Sequence, residues 1–261
     1  MTRFESETIL GYEVARATKE TCAGEVIAWL NEKSAVPSYL ACANPHSLVI
    51  SKRDCAFREA LEDADLLLPD GAGIVLASRI LGGTIKERVT GSDIFQAVGR
   101  LANQRGGVRY FFLGSSRPTL ERIAGRLGAD FPRIEIAGTH APPFVEKFTG
   151  AQDDEMVAAV NSASVDMLWV GMSAPKQEKW VHQNRRRLNV KVIGAIGAVF
   201  DFYAGTRKRS PEWALRTGLE WLPRLLWEPR RLWRRTLISA PIFLWLVVRE
   251  RMARRRVAAD V

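Results

Sequence analysis

Residues that build disulfide frameworks and metal centres are scarce in this chain of 261 residues, which has three cysteines and three histidines. Cys22, Cys42 and Cys55 are too few for a disulfide scaffold, and no histidine pairs with a cysteine at ligand spacing, so a structural zinc site is not expected. Residues 1–14 contain no apolar core of a signal sequence, and the chain is expected to stay in the cytoplasm. Long hydrophobic runs are missing too. The longest, Leu237–Val248, spans 12 residues, contains Pro241 and is closed off by Arg249, Arg251 and Arg254–Arg256. A bilayer span needs about 20. There is no internal repeat and no low-complexity linker, which excludes solenoids and disordered chains. A G-x-G-x-x-G fingerprint after the first strand is also absent, which argues against a dinucleotide-dependent oxidoreductase.

What the chain does have is an uneven distribution of charge. Residues 205–261 carry 14 of the 38 basic side chains and 5 of the 29 acidic ones, a net +9. The first 204 residues hold 24 of each and are neutral. Five of the eight tryptophans (Trp213, Trp221, Trp227, Trp233 and Trp245) also lie in that last stretch. The spacing divides the chain into a neutral body, 1–204, and a cationic, Trp-rich helical appendage, 205–261. Indole rings and arginines beside a short apolar run suit a membrane interface carrying anionic lipid, where each basic residue contributes about 1 kcal/mol. Clustered arginine with aromatics also fits nucleic acid, but an apolar run has no use in a nucleic-acid groove, so no nucleic-acid partner is expected.

The body alternates short apolar runs with amphipathic stretches. Strands are predicted at Tyr39–Ala43, Asp65–Leu68, Arg109–Leu113, Ile134–Ala137, Asp166–Val170 and Val190–Ile196. Helices are predicted at Glu20–Lys33, Ser47–Ala64, Ala72–Leu81, Ser92–Arg105, Pro118–Leu127, Glu155–Ser162, Pro175–Arg187 and Glu212–Arg235. Strands that are apolar on both faces and alternate with helices indicate a doubly wound α/β fold around a parallel sheet. Open sheets of this kind bind ligands at the carboxyl ends of their strands. Small and polar residues gather at those exits: Asn44-Pro45-His46, Pro69-Asp70-Gly71-Ala72-Gly73, Gly114-Ser115-Ser116, Gly171 to Glu178 and Gly194 to Ala198.

Several of these residues have two readings. Asp70 is either a helix cap, worth about 1 kcal/mol, or a general base flanked by glycines that let a substrate approach. Asn44 before Pro45 is a helix start or a ligand contact. His46 reads as a partly buried, hydrogen-bonded histidine. Asp63-Ala64-Asp65 has the form of a metal-binding D-x-D but precedes its strand, so no metal is expected there. Arg88 belongs to a salt-bridged turn or binds phosphate. Ser115-Ser116 opens a helix and forms a weak anion site. Gln177 and Glu178 either complement a helix N-terminus or, through the amide, bond sugar hydroxyls. The tail arginines form a solvated face, meet lipid headgroups or bind a departing diphosphate.

Taken together and in order, four motifs resemble the WecG/TagA/CpsF glycosyltransferases, glycosyltransferase family 26. They are Pro69-Asp70-Gly71-Ala72-Gly73; Glu87-Arg88-Val89-Thr90-Gly91-Ser92-Asp93; Pro175-Lys176-Gln177-Glu178; and Glu220-Trp221-Leu222-Pro223-Arg224-Leu225 followed by Glu228-Pro229-Arg230-Arg231. The resemblance runs from about Tyr39 to Arg235. It implies a Rossmann-like core and an inverting, metal-independent transfer of a hexose-type sugar. The donor would be a UDP-sugar and the acceptor a polyprenyl-diphosphate-linked sugar, at the cytoplasmic face of the membrane, in surface-polysaccharide synthesis. By the same resemblance Asp70 is the catalytic base. Asn44, Arg88 and Gln177 bind substrate, and Arg224, Arg230 and Arg231 face the nucleotide diphosphate. Two departures stand out: Cys42 occupies a frequent threonine position, and Ser173 replaces a glycine. A non-catalytic, membrane-recruited α/β scaffold is the alternative.

Overall fold

The computed structural model describes residues 5–208, 210, 211, 214 and 221–259, except for the side chains of 224, 231 and 257–259. A hairpin opens the chain, β1 (Ser6–Ile9) pairing antiparallel with β2 (Tyr12–Ala15). Its two-residue turn places both Leu10 (φ 53°) and Gly11 (φ 89°) in the left-handed region, the backbone that suits the twist of a tight hairpin. The helix α1 (Lys19–Trp29) follows, and then the alternation that the pattern predicts. The strands are β3 (Ser38–Ala43), β4 (Leu66–Pro69), β5 (Val108–Gly114), β6 (Ile134–His140), β7 (Met167–Gly171) and β8 (Val192–Ala195). They form one parallel sheet in the order β4-β3-β8-β7-β5-β6. The helices between them are α2 (Pro45–Ser51), α3 (Cys55–Glu62), α4 (Ala72–Leu81), α5 (Gly91–Arg105), α6 (Arg117–Asp130), α7 (Gly150–Asn161) and α8 (Lys176–Asn184), and α9 (Val199–Tyr203) follows β8. The fold is α/β, with a Rossmann-like parallel sheet.

Both faces of the sheet are covered, which explains why its strands are apolar throughout. One face holds Tyr39, Leu48, Phe57 and Leu168. The other carries an aromatic cluster in which Phe95 meets Trp169 edge-on at 5.1 Å and Tyr203 at 4.9 Å. Such pairs add about 0.5–1.5 kcal/mol beyond the area they bury. The predicted single helix Ser47–Ala64 is two helices, because Asp54 caps a new start by accepting from the Phe57 N–H at 3.1 Å. Asp63 and Asp65 lie at the opposite end of the sheet from the strand exits. There they pair with Arg185, whose guanidinium also donates to the Pro37 carbonyl at 2.7 Å. The D-x-D form is therefore a structural ion-pair cluster.

The predicted tail helix Glu212–Arg235 has residues 212, 213 and 215–220 outside the described set, Trp213 and Glu220 among them. The rest is two short helices, α10 (Trp221–Trp227) and α11 (Pro229–Trp233), split where Pro229 starts the second. A π-helical turn, Arg234–Ser239, leads into α12 (Ala240–Ala259). Pro241 sits in the first turn of α12, where a missing N–H costs little. The apolar run expected to lie at an interface is divided between two environments. Phe243 and Val247, one turn apart, are buried in the core, while Leu244, Trp245, Val248 and Met252 face solvent. α12 packs on α4 and α2. It is also bolted to the N-terminal hairpin: Leu10 N–H donates to Glu250 at 3.0 Å and Arg254 donates to the Thr8 carbonyl at 2.8 Å. Among the described residues no helix is long and apolar enough to cross a membrane.

Candidate active site

The strand exits open into a cleft of about 1010 Å³, at the upper end of the range for small-molecule sites. Its floor comes from the ends of β3, β4, β7 and β8, one wall from Ser115 and Ser116, and its roof from Trp221, Leu232, Arg235 and Leu244. Of the site residues that the family motifs imply, Asn44, Asp70 and Gln177 line this cleft, together with His46, Ser115, Ser116 and Glu178 from the other strand-exit motifs.

Asn44 caps α2. Its Oδ1 accepts from the Ser47 N–H at 3.1 Å, and Ser47 Oγ in turn accepts from the Asn44 N–H at 2.9 Å. The amide NH2 and the second lone pair of Oδ1 remain for a ligand. Asp70 is held by its backbone N–H, which donates to the Ala43 carbonyl at 2.8 Å across the β3–β4 edge. The residue at the cap position of α4 is Gly71, with φ 100° and no side-chain cap bond. Only a residue without Cβ adopts that backbone readily. α4 thus begins without a side-chain bond at its cap, and Asp70 is among the residues lining the cleft.

Arg88 is half-buried in the segment between α4 and α5, and is not part of the cleft lining. Arg230 is exposed and also off the lining, while the side chains of Arg224 and Arg231 fall outside the described set. Among the described residues, the arginines that line the cleft are Arg207 and Arg235. Arg207 is braced between the body and the tail, bonding Asp201 at 3.1 Å and Glu228 at 3.1 Å. Nothing in the spacing distinguishes these two from the other tail arginines; only the path of the chain does.

Three further groups set the electrostatics. His46 shares a 2.8 Å hydrogen bond with Ser239 Oγ. Burial, and then the positive charge of Arg235, push its imidazole down to about 4, so it is neutral at pH 7. Burial, and then the carboxylate of Asp70, hold the Cys42 thiol well above its usual range. The residue at the frequent threonine position is therefore a neutral thiol rather than a nucleophile. Glu178 is 3% exposed and Gln177 4%. Gln177 Nε2 donates to Glu178 Oε1 at 2.8 Å. Desolvation raises the Glu178 carboxyl to about 7 against the pull of that bond. Its place in the first turn of α8 invites the reading of a solvated charge facing the helix dipole, but the structure buries it at the cleft floor.

Comparison with known proteins supplies the class: the chain is a glycosyltransferase. It belongs to the WecG/TagA/CpsF glycosyl transferase family, whose model matches residues 7–257. Among its relatives is the N-acetylglucosaminyldiphosphoundecaprenol N-acetyl-beta-D-mannosaminyltransferase of Bacillus subtilis strain 168. It is 30% identical over 216 residues, covering 82% of this chain and 80% of that protein. The protein of the same name from Staphylococcus aureus strain MW2 is 24% identical over 241 residues, or 92% of this chain and 91% of the relative. Membership of a transferase family removes the scaffold alternative.

Proposed function

We propose that this enzyme transfers a hexose-type sugar from a UDP-sugar to a polyprenyl-diphosphate-linked sugar, with inversion, in the synthesis of a bacterial surface polysaccharide. It would work peripherally at the cytoplasmic face of the membrane and without a metal ion. The observation that carries the reading is the pairing, in one cleft, of a carboxylate at the β4 exit with arginines in the roof. Asp70 takes the proton of the acceptor hydroxyl as its oxygen attacks the anomeric carbon. The bond from that carbon to UDP breaks, and UDP leaves with the electron pair. A single displacement inverts the carbon. General-base assistance contributes about 10²–10⁴-fold. Arg207 and Arg235 stabilise the charge gathering on the diphosphate, where exclusion of water strengthens their effect. Asn44 and Gln177 bind substrate. Arg88, Arg224, Arg230 and Arg231 have substrate-facing roles on the strength of the family motifs alone, Arg88 and Arg230 lying off the cleft lining.

The relatives' names make N-acetylmannosamine on a diphosphoundecaprenol-linked N-acetylglucosamine the first pair to test, with glucose and the uronic acid of N-acetylmannosamine as further donor sugars. UDP release by the full chain in detergent or with membranes should require the acceptor, persist in EDTA and fall at least a hundredfold in Asp70→Asn. Unchanged turnover in a folded Asp70→Asn would remove Asp70 as the base.

A further inference from the structure

Two oxygen atoms on the cleft floor, Gln177 Oε1 and Glu178 Oε2, are buried and have no hydrogen-bond partner among the described residues. They belong to neighbouring residues joined to each other at 2.8 Å by the remaining atoms of their two head groups. The joining bond uses Gln177 Nε2, so once Glu178 is ionised, above about pH 7, the two idle atoms are both acceptors. Native proteins pair nearly all buried polar atoms, and two acceptors side by side in a cleft call for a ligand that brings two donors. Gly197 (φ 55°) stands beside the amide. A Cβ there would lie 3.4 Å from both Gln177 head-group atoms, so its absence keeps space open in front of them.

We propose that Gln177 and Glu178 form one two-acceptor subsite that receives a vicinal diol of the sugar nucleotide, with Glu178 a ligand-contacting residue in its own right. A phosphate offers no donor and carries the wrong sign, and the uracil imide offers a single N–H. Adjacent sugar hydroxyls present two O–H groups at matching separation. Two diols on a UDP-sugar satisfy this chemistry, that of the ribose and that of the transferred hexose. The inference rests on the UDP-sugar reading above.

The test is calorimetric titration of the full chain, wild type beside Glu178→Leu and Glu178→Gln, with UDP, 2′-deoxy-UDP, UDP-glucose and UDP-N-acetylmannosamine. At pH 8, where Glu178 is ionised, a hydrogen bond to a charged group is strong enough that Glu178→Leu should weaken binding tenfold or more, and Glu178→Gln, which removes the charge but keeps a polar head group of the same shape, by less. Melting temperatures should stay level or rise, whereas a merely structural glutamate would lower them when replaced. If the ribose is the ligand, the loss appears with UDP alone, and 2′-deoxy-UDP binds wild type about as weakly as UDP binds the variant. If the hexose is the ligand, UDP is unaffected and only a UDP-sugar weakens. Affinities within twofold of wild type for all four probes in Glu178→Leu would overturn the subsite and leave the donor reading intact. Should that variant fail to fold, the same result in Glu178→Gln decides. No binding of any probe to wild type would overturn both.

Discussion

Replacing Glu178 by glutamine should stabilise the fold by an amount that depends on pH. The carboxyl is 3% exposed, its one side-chain bond comes from a neutral amide, and burial lifts it from an ordinary 4.5 to about 7. Below about pH 4.5 it is protonated in both folded and unfolded chains, and the substitution changes little. Between that pH and 7 the unfolded chain ionises while the folded chain keeps its proton, so folding loses stability as pH rises. Each pH unit in that window withdraws about 1.36 kcal/mol, and above pH 7 the deficit levels off at up to about 3 kcal/mol. Glutamine keeps an acceptor for the Gln177 amide and carries no charge. Urea denaturation of both proteins at pH 5, 6, 7 and 8 should show the advantage of Glu178→Gln growing to pH 7 and then holding. An advantage independent of pH, or a variant less stable than wild type at pH 8, would refute the reasoning.

Other substitutions test the packing and the surface. Phe243→Ala should cost about 3–5 kcal/mol in chemical denaturation, because this tail residue is 1% exposed within the body's own core. Gly171→Ala would drive a Cβ into the ring of Phe200, so a loss of about 1–3 kcal/mol from overpacking is expected, read as a lowered melting temperature. Sedimentation with anionic vesicles should show binding that weakens as salt rises and falls further in a Trp227→Ala, Trp245→Ala double variant, whose exposed rings are lost. Equal binding to neutral vesicles at all salt concentrations would argue against the charge contribution.

The sheet was legible because its strands are apolar on both faces and end in small or polar residues, and all six predicted strands are present. The hairpin at Ser6–Ala15 was not. Its strands are four residues each, and its turn puts a leucine where asparagine or glycine usually signals the bend. The break at Asp54 was hidden because the hydrophobic pattern runs through it. Asn44, Asp70 and Gln177 follow strand exits, where open sheets bind ligands, but position alone leaves each a helix-start alternative, and the family motifs single them out. Arg207 and Arg235 could not be placed at the cleft, since which of thirteen tail arginines reaches it depends on how the tail folds back over it. Glu178 was hidden by its own charge: an acid in the first turn of a helix reads as solvated, and only the three-dimensional arrangement buries it.

Trp221, Leu237 and Leu244 line the mouth of the cleft and are also exposed to solvent. Any apolar surface that meets these side chains therefore covers the entrance as well. A substrate dissolved in that surface reaches the reacting centre without crossing water, whereas a water-borne donor must be seated before the entrance closes. On the UDP-sugar reading proposed above, the placement of these three hydrophobic side chains predicts a kinetic order, the donor entering first and UDP leaving only after the covering surface is released.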